Sequence, residues 1–190
     1  RTWDGGNLTI SIYYPSVSAG QDSQPNMSLA PYPTLFHSPG FQSSIDHYRN
    51  LASLITSWGF VIVLVDTPSG DWSQARASDV IDALNWIDEQ NDNASFVLHG
   101  VVDESKFGVM GHSLGGEAAL IVAASEPRIK AVAPIAPFSG NYGLTENIHF
   151  PLFIIVGSND QIASPATMAY PLYDHGNVPK FCVTMIGLDH

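Results

Sequence analysis

Apolar positions alternate with polar ones at the start of the chain, in Leu8-Thr9-Ile10-Ser11-Ile12-Tyr13-Tyr14. A period of two marks a half-buried strand, placed here near a sheet edge. Pro15 to Pro33 is rich in Ser, Pro, Gln and Asn and reads as a surface loop. Thr34-Leu35-Phe36-His37 is a second apolar run that stops at Pro39-Gly40. Ile45, Tyr48, Leu51, Ala52, Ile55 and Trp58 then recur at helical spacing, with Gly59 as the stop. Phe60 to Val65 is apolar throughout, as expected of a strand covered on both faces. Ala77, Val80, Ile81, Leu84 and Ile87 trace a further amphipathic helix. Three more strand-like runs follow, Ala131 to Ile135, Leu152 to Val156 and Lys180 to Ile186, with a helix start signal at Ser164-Pro165. Strands alternating with helices predict one α/β domain over residues 1–190, with a mostly parallel sheet and helices on both faces.

The run Phe107-Gly108-Val109-Met110-Gly111-His112-Ser113-Leu114-Gly115-Gly116 organises the rest. An apolar strand enters a Gly-x-Ser-x-Gly turn, and an Ala-rich helix, Glu117 to Ser125, leaves it. Such a turn lifts the serine hydroxyl above the C-terminal edge of the sheet, at the positive end of the helix. Read alone, the same five residues fit a turn whose serine merely caps the helix. A nucleophilic serine needs a base and a third group that fixes the base's tautomer, each beyond a later strand. Asp160 stands beyond Leu152 to Val156, and His190 beyond the last run. Asp189 adjoins His190 and so is expected to point elsewhere. Asp174 falls late in a helical stretch, Asp66 lies upstream, and Asp103 is read as a turn or cap before the serine strand. His149 and His175 are surface candidates. His37 is expected to be packed or hydrogen-bonded, and His112 to point away from the substrate. The backbone N–H of Leu114 supplies one oxyanion donor. That of Phe41, in the turn shaped by Pro39 and Gly40, supplies the second.

Composition narrows the partners. Acidic residues outnumber lysine and arginine by 18 to 7, a formal net charge of −11, which disfavours nucleic acid and anionic surfaces. No run is apolar and long enough to span a bilayer as a helix. Cys182 is the single cysteine and reads as a small hydrophobe in a strand. Asn7, Asn26 and Asn93 begin formal glycosylation acceptors.

Ser38-Pro39-Gly40-Phe41, Trp58 to Ile62, Gly108 to Gly116, Ala133 to Phe138 and Asn159 to Pro165 resemble, in order, the bacterial cutinases and poly(ethylene terephthalate) hydrolases of the α/β-hydrolase superfamily. The resemblance implies a secreted, monomeric serine carboxylester hydrolase with no cofactor and no metal, acting through an acyl-enzyme on apolar esters or polyesters. Lipase, chlorophyllase and platelet-activating-factor acetylhydrolase-like activities share the elbow, and a catalytically dead binding module is the non-enzymatic alternative. The resemblance makes Ser113, Asp160 and His190 the triad, Phe41 and Leu114 the oxyanion donors, and Phe41 and Phe138 the aromatic clamp on the acyl group. Leu114 stands where the family usually has methionine and Phe138 where it usually has tryptophan. The related hydrolases continue past this histidine into another helix. The chain is therefore expected to extend beyond His190, and the apolar surface beside the last strand to be exposed without that extension.

Overall fold

The computed structural model describes residues 2–4, 8–67 and 72–190. Each apolar run becomes a strand: β2 (Thr9–Tyr13), β3 (Tyr32–Ser38), β4 (Val61–Val65), β5 (Val102–His112), β6 (Ile129–Ile135), β7 (Leu152–Gly157) and β8 (Lys180–Met185). A three-residue strand, β1 (Thr2–Asp4), pairs outside β2 and was not legible in the alternation. The helices are α1 (Arg49–Ser57), α2 (Ser73–Asp92), α3 (Leu114–Ser125), α4 (Gly143–Glu146) and α5 (Ala169–His175). The described strands form one sheet in the order β1-β2-β4-β3-β5-β6-β7-β8, antiparallel only at β1-β2 and β2-β4.

Strand β4 shows why both faces must be covered. Val61, Val63 and Val65 enter the core beneath α2 and α3, while Ile62 and Leu64 pack with Ile45 and Ala52 around α1; all five strand residues are fully buried. A strand buried on both sides has no use for polar alternation. Helix α3 is apolar nearly all round, with Ala118, Ala119, Leu120, Val122 and Ala123 buried between the sheet and α2.

Three local readings change. The helix expected from Ile45 is a 3-10 turn, Ile45–Tyr48, followed by α1, and Gly59 ends it at φ +84°. Asp103 lies inside the strand β5, where its carboxylate accepts from Ser105 and Lys106. Ser164-Pro165 opens a turn, with the N–H groups of Thr167 and Met168 on the Ser164 carbonyl, and α5 starts only at Ala169.

The order of strands sets the position of function. The chain adds β4 on one side of β3 and β5 on the other. The loop after β3 therefore leads to α1 on one face and the loop after β5 to α3 on the other, which opens a crevice at the ends of β3 and β5. On the α1 face, the outer strands stay open: Phe153, Phe181, Val183 and Met185 are exposed, with the rings of Phe153 and Phe181 edge to face at 6.4 Å.

Candidate active site

Ser113 stands at the apex between β5 and α3 with φ 56° and ψ −120°. That conformation is costly for a residue with a Cβ. Ser113 occupies the capping position of α3, yet its side chain makes no capping hydrogen bond. The turn that carries it is tight: a Cβ on Gly111 would lie 2.1 Å from the Gly115 carbonyl oxygen, and one on Gly115 would lie 2.2 Å from Ser38 O and 2.4 Å from Pro39 O. Glycine is required at both positions because backbone occupies the space. The same contacts press Ser38 and Pro39, in the turn after β3, against the start of α3. Leu114 supplies the first N–H of that helix, which has no intrahelical carbonyl to meet.

Asp160 is buried at the end of β7. Its Oδ1 accepts the N–H groups of Ile162 and Ala163 at 2.8 and 2.7 Å, and its Oδ2 meets His190 Nδ1 at 2.8 Å. Burial alone would raise the carboxyl's pKa; the hydrogen bonds from His190, Ala163 and Ile162 outweigh it and hold Asp160 below the ordinary carboxylate value. An ionised Asp160 accepts, so Nδ1 of His190 carries the proton and Nε2 is left as the basic nitrogen.

The loop holding His190 is pinned to the β7 end. Asn159 N–H donates to Leu188 O at 2.8 Å, Gly187 N–H donates to Ser158 Oγ at 2.9 Å, and a Cβ on Gly157 would lie 2.4 Å from Asp189 O. The side chain of Asp189 is exposed.

The remaining candidates converge on the same edge. The His190 ring lies 4.7 Å from the ring of His112, and Phe138 N–H donates to Ser113 O at 3.0 Å. A Cβ on Gly40 would lie 3.4 Å from the Ser113 Cβ. The structure records no hydrogen bond between Ser113 Oγ and the His190 ring; such bonds commonly tighten only with substrate in place. His112 departs from expectation, because its ring lies against His190 rather than away from the site. Its pKa is lowered, first by burial and then by the neighbouring His190. His37 is packed, not hydrogen-bonded: neither ring nitrogen has a partner, the ring lies 4.2 Å from that of Tyr48, and burial followed by the influence of His112 lowers its pKa to about 3. Tyr48, read from the sequence only as a helix-face residue, touches both Gly40 and His112 through its hydroxyl. Glu117, read as the start of a helix, binds two serine hydroxyls. A half-buried Cys182, its thiol pKa pushed up by burial, lies on β8 away from this edge. A depression of 970 Å³ between residues 11–22 and α1 shares no lining residue with the triad candidates.

Among the described residues, no helix is long and apolar enough to cross a membrane. Residues 5–187 match the PETase family, described as PET hydrolase-like. The chain is 32% identical over 156 residues to cutinase 1 of Thermobifida cellulosilytica, covering 80% of this chain and 58% of that one. It is 32% identical to a cutinase of Thermobifida fusca (strain YX), again over 80% of this chain and over 50% of the relative. A bis(hydroxyethyl) terephthalate hydrolase of Streptomyces coelicolor matches at 27% over 86% of this chain and 48% of its own. The chain thus spans about half the length of the curated relatives it matches. With a family match across nearly its whole length and a mostly parallel sheet carrying a strained serine turn, the chain belongs to the PET hydrolase-like family of the α/β-hydrolase fold.

Proposed function

We propose that the protein is a serine carboxylester hydrolase of the cutinase and polyester-hydrolase type, working through an acyl-enzyme. The observation that carries this reading is the 2.8 Å bond from His190 Nδ1 to a buried Asp160, beside a strained serine that does not cap its helix. Ser113 Oγ attacks the ester carbonyl, and His190 Nε2 takes its proton and passes it to the leaving alcohol. Asp160 holds the ring and stabilises its cation. The N–H groups of Phe41 and Leu114 bind the oxyanion, and Phe41 and Phe138 edge the acyl site. Water then repeats the cycle and releases the acid. His112, kept neutral, places no competing cation beside the imidazolium. Secretion, a monomeric state and polyester substrates belong to the same proposal by family likeness.

The test is labelling by a fluorophosphonate together with turnover of a p-nitrophenyl ester. The expected result is one label on Ser113, with Ser113→Ala folded, unlabelled and inactive. A folded Ser113→Ala protein with near-native turnover would refute the assignment. Absence of both labelling and turnover in the unaltered chain would favour the dead binding module.

A further inference from the structure

One half-buried carboxylate takes no part in the chemistry above. Glu117, in the first turn of α3, accepts Ser73 Oγ at 2.5 Å on one oxygen and Ser139 Oγ at 2.8 Å on the other. Ser73 opens α2, 44 residues earlier, and Ser139 follows β6, 22 residues later. Both serines are buried. Each is preceded by an exposed aromatic side chain: Trp72 is 80% exposed and Phe138 is 39% exposed. The two loops follow β4 and β6, at the strand ends that also carry Ser113. Backbone contacts bind one of them to the elbow, through Phe138 N–H on Ser113 O and a 3.0 Å approach of Pro137 Cα to where a Cβ on Gly116 would be.

An acid in the first turn of a helix is favourable on electrostatic grounds alone. That effect does not require two buried hydroxyls from distant loops to share its oxygens. A tryptophan left almost wholly in water has a large apolar surface available to a ligand. We infer that Glu117 is a positioning residue that brackets Trp72 and Phe138 as two aromatic walls of the acyl groove, and that Trp72 touches flat, apolar acyl groups. This rests on the esterase reading, which already sets Phe138 at the acyl site, and adds to it Trp72 and the carboxylate that holds both loops.

The test compares p-nitrophenyl benzoate with p-nitrophenyl acetate, which share a leaving group and differ in the acyl part. Trp72→Ala and Glu117→Ala should each lower kcat/KM for the benzoate at least about fivefold more than for the acetate, the scale of a lost aromatic contact. The double variant should lose little beyond the larger single loss, because Glu117 acts through the wall it holds. Glu117→Gln, which can still bond both serines, should recover most of the preference. Fluorophosphonate labelling of Ser113 should persist in every variant. Equal losses on the two esters, or additive losses in the double variant, would overturn the proposal while leaving the esterase reading intact. If Glu117→Ala fails to fold, Ser73→Ala and Ser139→Ala each remove one bond, and unchanged preference in both would overturn it equally. No turnover of either ester by the unaltered chain would remove the esterase reading and this inference together.

Discussion

The hydroxyl of Tyr48 lies 3.2 Å from Nδ1 of His112, a residue 64 positions away, and accepts the N–H of Gly40 at 3.2 Å. One phenol therefore spans the turn after β3 and the elbow. Because Gly40 N–H can only donate, the phenol's own proton is available to Nδ1, which leaves the His112 proton on Nε2. Tyr48→Phe keeps the ring that packs on His37 and removes only this bridge. It breaks two hydrogen bonds, and where the worth of one of them, about 1 kcal/mol, falls on the transition state, the rate drops about fivefold. The expected result is that fall in kcat with little change in KM, and a His112 ring that titrates at higher pH by NMR, since the bond favoured its neutral form. An unchanged His112 titration would remove the bridge from the account.

Asp160, not Asp189, should hold His190. Asp160→Asn is expected to cut kcat by about 10⁴, as loss of a triad acid does when it leaves the wrong tautomer. Asp189→Asn should stay within about twofold, because its side chain faces solvent. A crippled Asp189→Asn beside an active Asp160→Asn would reverse the assignment.

Acid should weaken the fold in two separate windows. His37 falls from an ordinary 6.5 to about 3 on burial, so the folded state refuses a proton that the unfolded chain accepts. Its contribution is whole above pH 6.5 and declines as the pH falls toward 3, by at most about 1.4 kcal/mol per unit. Asp160 acts lower: its contribution is present above the ordinary carboxyl value of 3.8 and is lost as the pH falls through its depressed folded value. Denaturant melts of His37→Leu between pH 7 and 4 should show a flatter dependence than the parent. An unchanged slope would mean that another group governs that range.

What the sequence made legible was whatever repeats locally. The all-apolar Phe60 to Val65 declared a doubly covered strand, and Asp160 and His190, which lie 2.8 Å apart, were legible as a pair because each stands just past an apolar run. What it hid depends on contacts made only after folding. β1 is three residues long, too short to show a period. Tyr48 and Glu117 sit on helical faces that look ordinary, and their partners are 64, 44 and 22 residues away. The late start of α5 has a local cause visible only in three dimensions. Met168 leaves helical geometry at φ −126°, and Tyr170 N–H donates to Pro165 O five residues back, so the turn opened by Ser164 does not run on into α5.

Ser113, held at φ 56° with a Cβ, sets the proposed nucleophile against the fold that carries it. Backbone held there costs a non-glycine residue about 1–3 kcal/mol, whereas glycine loses about 1 kcal/mol through its freer unfolded chain. Replacing Ser113 with glycine should therefore raise stability by about 1 kcal/mol, or about 2–4 °C in Tm for a domain of this size, while ending ester turnover. A calorimetric scan with Ser113→Gly melting at or below the parent would show that the elbow is relaxed. With the expected result, the chain melts later once its reactive hydroxyl is gone, and random variation screened for heat resistance alone would drift toward an inert protein.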